Sequence, residues 1–142
     1  MRAELAPADD CYDSSSPWRA RKGRVLVVDD CPDSAESMAI LLRLSGYEVE
    51  TATGGLSALR AARARRPDVV LLDISMPGMN GYEVARQLRK LFHNDIGLIA
   101  VTANGFEEDR CRCLEAGFDC FFVKPADPDE VERALWQLTP VY

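Results

Sequence analysis

Five side chains in this 142-residue chain could act together chemically: Asp29, Asp30, Asp73, Thr102 and Lys124. Each stands at the carboxyl end of a short apolar run. Asp29 and Asp30 follow Val25-Leu26-Val27-Val28, and Asp73 follows Val69-Val70-Leu71-Leu72. Thr102 follows Leu98-Ile99-Ala100-Val101, and Lys124 follows Phe121-Phe122-Val123. One polar residue at a strand end is ordinary; such groups delivered by four runs to one edge form a pattern. Three carboxylates brought together repel, and at least one is driven toward protonation. A hard divalent cation such as Mg²⁺ removes that conflict, because an all-oxygen ligand set favours it over zinc or copper. Lys124 supplies a point charge for an anion, and Thr102 a hydroxyl that donates to the same anion. The set suits phosphoryl transfer, with a carboxylate as the accepting nucleophile.

The elements that must position these groups alternate regularly. Val25–Val28 reads as a buried strand. Asp33 to Ser45 carries Met38, Leu41, Leu42 and Leu44 at helical spacing, with Gly46 as its stop. Tyr47 to Thr51 alternates as a second strand, and Leu56 to Arg65 is an Ala- and Arg-rich helix. Asp68 to Leu72 is the third strand; Val84, Leu88 and Leu91 mark a third helix after Gly81. Leu98 to Val101 is the fourth strand, Phe106 to Ala116 the fourth helix with Gly117 as its stop, Asp119 to Val123 the fifth strand, and Val131 to Leu138 the fifth helix. The run Met76 to Gly81 is turn chemistry, with Gly81 free to take positive φ. Five β/α units predict an α/β fold: a doubly wound parallel sheet with helices on both faces and right-handed crossovers. Ligands in such sheets bind beyond the carboxyl ends of the strands, where the strand order reverses.

Four segments carry a family resemblance in order and spacing. Val27-Val28-Asp29-Asp30, Leu71 to Gly81 (LLDISMPGMNG), Val101-Thr102-Ala103 and Val123-Lys124-Pro125 resemble the receiver domain of two-component response regulators. The resemblance covers residues 23–139 and implies a flavodoxin-like (βα)5 three-layer sandwich with strand order 2-1-3-4-5. Asp73 then resembles the phosphoacceptor, Asp30 a direct Mg²⁺ ligand, and Asp29 an acidic partner acting through metal-bound water. The backbone carbonyl of Ser75 would complete the protein's share of the metal shell. Thr102 matches the switch hydroxyl, Lys124 the phosphoryl-binding lysine, and Phe121 the switch aromatic, often a tyrosine. A phenylalanine has no hydroxyl to offer, so Phe121 would signal only by moving between buried and exposed rotamers. Pro125 resembles the proline that follows a cis peptide bond. Ser75 and Asn104 hold positions that tune hydrolysis of the acyl phosphate in the family, and the small Ala103 leaves room for the phosphoryl group.

Composition bounds the alternatives. The net charge of −6 opposes a nucleic-acid binder, and no run reaches the about 18–20 apolar residues of a membrane span. No apolar signal segment opens the chain, so a cytoplasmic protein is expected. Residues 1–22 read as a flexible tail in which Arg2, Arg19, Arg21 and Lys22 cancel Glu4, Asp9, Asp10 and Asp13. Trp18 is its one large apolar group. Five cysteines without a CxxC pair, and the single histidine His93, suit neither a disulfide framework nor a zinc site. Cys31 reads as a passive neighbour of the acidic pair, and Cys111, Cys113 and Cys120 as packing residues. Arg60, Arg63, Arg65 and Arg66 read as a solvated helix face. Leu135 and Trp136 read as core or interface packing.

The resulting expectation is a Mg²⁺-dependent receiver phosphorylated on Asp73 by a sensor histidine kinase or histidine phosphotransfer protein. It catalyses only its own phosphorylation and dephosphorylation. The face made by the fourth helix, fifth strand and fifth helix would then change for partner binding or for pairing of two copies. Residues 140–142 leave no room for an output domain, which suggests a stand-alone regulator or a receiver cut from a hybrid kinase, whose receivers the stretches Glu107-Glu108-Asp109-Arg110 and Glu115 to Asp119 resemble. Two other readings compete with this one. A receiver-fold module acting without phosphorylation is opposed by the intact set of five. A haloacid-dehalogenase-type hydrolase is opposed by the adjacent Asp29-Asp30, where that class needs DxD.

Overall fold

The computed structural model describes residues 23–74, 80–103 and 107–139. The expected tail with Trp18, the loop residues Ser75 to Met79, Asn104 and residues 140–142 lie outside the described residues. The elements are β1 (Arg24–Val28), α1 (Pro32–Leu44), β2 (Glu48–Ala52), α2 (Gly55–Ala64), β3 (Val69–Asp73), α3 (Gly81–Phe92), a 3-10 turn (His93–Asp95), β4 (Gly97–Thr102), α4 (Glu107–Ala116), β5 (Cys120–Val123) and α5 (Pro128–Leu138). All strand pairs are parallel, in the order β2-β1-β3-β4-β5. This is the doubly wound order expected from the sequence, and it reverses between β1 and β3.

Strand alternation divides the core into two layers. Leu26 and Val28, Val70 and Leu72, and Leu98 and Ala100 face α2, α3 and α4, where Leu59, Val84, Leu88 and Cys113 meet them. Val25 and Val27, Val69 and Leu71, and Ile99 and Val101 face α1 and α5, packing on Leu42, Val131 and Leu135. β1, β3 and β4 are therefore buried on both sides. Each fully buried aliphatic side chain there contributes about 1.5–3 kcal/mol of transfer free energy. The helix faces differ in part from the expectation. Leu41, Leu44 and Leu91 are exposed, and α1 turns Ala35, Ala39 and Leu42 inward. The small alanines let that helix lie close to the sheet. Leu135 is fully buried while its neighbour Trp136 is 65% exposed, and Cys113 is buried while Cys111 is exposed.

Local chemistry starts and stops the helices. The Asn80 side chain accepts the Glu83 backbone N–H at the start of α3, and the Asp127 side chain accepts that of Asp129 at the start of α5, where Pro128 takes the first turn. Gly117, at φ 104°, ends α4, donating its N–H to the Cys113 and Leu114 carbonyls. One side chain fastens the corner between α3 and α4. The Arg89 guanidinium donates to the carbonyls of His93, Ile96 and Gly117 and to Asp119 Oδ2, at 2.7–3.0 Å. Asp119 Oδ2 in turn accepts the Leu98 N–H, so the entry to β4 is held by the same cluster.

Gly81 corrects the sequence reading. It opens α3 without positive φ. What requires glycine is close approach: a Cβ there would lie 2.6 Å from Ile74 Cα and 2.8 Å from the Asp73 carbonyl oxygen. The start of α3 is thus pressed against the end of β3, and the Gly81 N–H donates to the Ile74 carbonyl. Gly81→Ala forces backbone apart beside Asp73, and a loss of about 1–3 kcal/mol is expected in urea unfolding. An unchanged midpoint would show that the contact yields freely.

Candidate functional site

The reversal between β1 and β3 places the ends of these neighbouring strands together. Val28 pairs with Leu72, so Asp29 and Asp73 follow on adjacent strands. One carboxylate oxygen each from Asp29, Asp30 and Asp73 lies within 4.8 Å of the others. The three differ in access: Asp73 is buried, Asp29 is half-buried and Asp30 is exposed. Asp29 is fixed on both oxygens. Its Oδ1 accepts the Cys31 N–H at 3.0 Å, and its Oδ2 lies 3.6 Å from Lys124 Nζ. The Asp29 N–H continues the sheet by donating to the Ala52 carbonyl.

Lys124 comes from the far side. β5 pairs with β4 through Thr102 and Val123, and the Lys124 N–H donates to the Thr102 carbonyl at 2.7 Å. From there its ammonium reaches back to Asp73 Oδ2 at 3.2 Å. The Lys124–Pro125 peptide bond is cis, as the resemblance implied. Lys124 therefore bridges two of the three carboxylates. The sequence had offered it only as a charge for an anion; its second role is to offset the acidic cluster from within the chain. Thr102 is buried at the end of β4, one residue beyond Val101, which pairs with Asp73. Phe121 is half-buried on β5, in register with Ala100 and packed against the α3–α4 layer. The backbone carbonyl of Ser75 lies outside the described residues.

The electrostatics follow from this crowding. Burial raises the pKa of the Asp29 carboxyl above its ordinary value, and the charges of Asp73 and Asp30 push the same way. The Cys31 N–H and Lys124 oppose them without cancelling them. Burial alone would lower the pKa of Lys124, but attraction to Asp73 and Asp29 and hydrogen bonds to both raise it. Cys31 is exposed at the N-cap position of α1, its thiol pKa lowered by hydrogen bonds with the Ser34 side chain and backbone.

Asp73 is only 5% exposed, yet it is not sealed. With Asp29 and Lys124 it lines a cleft of about 480 Å³ between α1 and the turn after β5, walled by Met38, Val101 and Pro125. A small anionic group entering there meets an ammonium and two carboxylates side by side. The oxygen-only donor set, with its unrelieved repulsion, fits a hard divalent cation. His93 stands away from this cluster in the 3-10 turn before β4, at φ 55°.

Fold and site together define a receiver-type architecture. The response regulator receiver domain model matches residues 25–135, and the chain belongs to that family, the receiver domains of two-component response regulators. The chain is 47% identical over 102 residues to the transcriptional regulatory protein PrrA of Mycobacterium tuberculosis, covering 72% of this chain and 43% of that one. It is 38% identical over 111 residues to the sensor histidine kinase RcsC of Escherichia coli, covering 78% of this chain and 12% of the kinase. The chain thus spans less than half the length of these curated relatives. Among solved structures, the chemotaxis protein CheY4 of Vibrio cholerae superimposes with a TM-score of 0.77 at 30% identity, covering 81% of this chain and 97% of that one. The signal receiver domain of a histidine kinase from Syntrophus aciditrophicus gives 0.74 at 32%, covering 82% and 89%.

The raised Asp29 pKa carries a stability prediction. In the window between its unfolded value of 3.8 and its higher folded value, the folded chain binds more protons than the unfolded one. Stability therefore falls as pH rises through that window. Asp29→Asn keeps the acceptor for the Cys31 N–H and removes the charge. The variant is expected to melt higher than the parent at pH 7 without divalent cations, and the gain is expected to vanish near pH 3.8. Thermal melts across that range check it; an equal or lower melting temperature at pH 7 contradicts it.

Proposed function

We propose that this chain is the phosphoacceptor of a two-component relay, with Asp73 receiving the phosphoryl group from a phosphohistidine. The donor is a sensor histidine kinase or a histidine phosphotransfer protein. The observation that carries the reading is the bridge of Lys124 between Asp73 and Asp29, all three lining one cleft. A nucleophilic carboxylate and a cation for the incoming oxygens stand ready in one place.

In the transfer an oxygen of Asp73 attacks phosphorus in line. The donor's N–P bond breaks, its electron pair stays on the imidazole nitrogen, and an acyl phosphate forms. Lys124 moves from the carboxylate to the phosphoryl oxygens, and the Thr102 hydroxyl donates to them. Asp30 and Asp73 would bind Mg²⁺ directly with the backbone carbonyl of Ser75, and Asp29 through bound water. The ion would shield the phosphoryl charge from the carboxylates. Phosphorylation adds about −1.5 to −2 charge. Thr102 and Phe121 then shift, and the surface of α4, β5 and α5 changes for its partner, including pairing of two copies there. Residues 23–139 form the receiver unit, which works in the cytoplasm, binds no nucleic acid itself and catalyses only its own phosphorylation and dephosphorylation.

With acetyl phosphate and Mg²⁺, intact-mass measurement is expected to show one added phosphoryl group. Asp73→Asn is expected to abolish it, Lys124→Met to slow its appearance by about 10²-fold, and chelation of Mg²⁺ to stop it. Labelling that persists in Asp73→Asn would refute the assignment. A wild-type chain that takes no phosphoryl group from acetyl phosphate or any histidine donor favours a receiver-fold module working without phosphorylation.

A further inference from the structure

Helix α4 faces the sheet with an unusual residue choice. Cys113 and Ala116 are its buried residues among those described, and both are small. Arg110, one turn before Cys113, is exposed at the edge of that face. Its guanidinium carbon lies over the Phe121 ring, 5.6 Å from the centroid. Arg112 reaches the other way, 4.8 Å from the centroid of Tyr82 on α3. The Phe121 ring is half-buried, and part of it packs on the α3–α4 layer. A tyrosine could be oriented by its hydroxyl; a phenylalanine is oriented only by what lies against it. The cation over the ring supplies that orientation electrostatically, and the arginine stem covers ring surface that is otherwise wet.

We infer that Arg110 is a positioning residue for Phe121: its guanidinium holds the ring half-buried and so sets how readily occupation of Asp73 moves it. The inference rests on the reading of Phe121 as the switch aromatic. The ring sits under Arg110 in the same arrangement in which Lys124 Nζ contacts Asp73 Oδ2 directly. An anion on Asp73 draws Lys124 away from that arrangement, so the cation–π contact favours the state that the anion leaves. At the exposed end of the cation–π range, such a contact changes a two-state ratio by about two- to fivefold. By reciprocity, removing it makes an anion at Asp73 that much more effective.

The test uses the full chain with 4-fluorophenylalanine at position 121, read by fluorine NMR, beside Arg110→Lys, Arg110→Met and Arg110→Ala. Lysine keeps the cation, methionine keeps an unbranched stem without charge, and alanine removes both. Circular dichroism and a second label at the buried Phe118 confirm that each variant is folded. The lysine variant is expected to keep the wild-type ring signal. The methionine and alanine variants are expected to shift it and to lower the beryllofluoride midpoint, with Mg²⁺ present, by about two- to fivefold. A methionine variant indistinguishable from wild type in signal and midpoint, or a lysine variant shifted as far as methionine, would overturn the role of the charge. A wild-type ring that ignores beryllofluoride while Asp73 still takes up a phosphoryl group overturns the switch reading of Phe121 and leaves the acceptor reading standing.

Discussion

Three carboxylate oxygens within 4.8 Å of one another are a liability in any folded chain, and this protein is organised around tolerating it. The repulsion is met from inside by one ammonium, whose strand is separated from β1 by β3 and β4. That remedy works only if the sheet is complete, because Lys124 reaches Asp29 and Asp73 solely through the register that ties β5 to Thr102. Burial, with the charges of Asp73 and Asp30 adding to it, outweighs what Lys124 and the Cys31 N–H offer Asp29 and holds its pKa above the ordinary value. The site is therefore poised rather than neutral. An all-oxygen cluster of this kind has the chemistry to suit a second, hard divalent cation.

The same constraint explains why the scaffold is so rigid around the site. β1 and β3 are buried on both faces, so their carboxyl ends have little freedom to separate and relieve the charge. The backbone contact at Gly81 keeps α3 pressed on the residues following Asp73. The Arg89 cluster does comparable work at the opposite end of the sheet, joining α3, the start of β4 and the α4–β5 turn through one planar guanidinium.

Most of the framework was legible because it rests on periodicities that are local. The aliphatic runs marked the strands, and polar residues at the ends of four of them marked the candidate site, since one such residue is ordinary but four at one edge form a pattern. The strand order came from the resemblance rather than from periodicity, which does not say which strands are neighbours. What escaped was set by contacts between distant segments. Leu41 and Leu44 have helical spacing, but α1 lies so close to the sheet that alanines take the inner positions. Gly81 reads as a turn glycine until the neighbouring backbone is visible. Arg89 donates to the Gly117 carbonyl 28 positions away and Arg110 lies over a ring 11 positions away, contacts that no local periodicity marks.

Helix α4 has a consequence that reaches beyond the single molecule. Little of the protein's apolar burial depends on its described residues, since only Cys113 and Ala116 are inside and Leu114 lies open at 71%. Substitutions on its outer face therefore draw lightly on the stability reserve, whereas changes in β1 or β3 strike both core layers at once. Descendants of a duplicated gene can change the outer face of this helix while inheriting the acidic cluster unchanged. One thinly buried helix thus separates the freedom of that surface to change from the constraint on the acidic cluster.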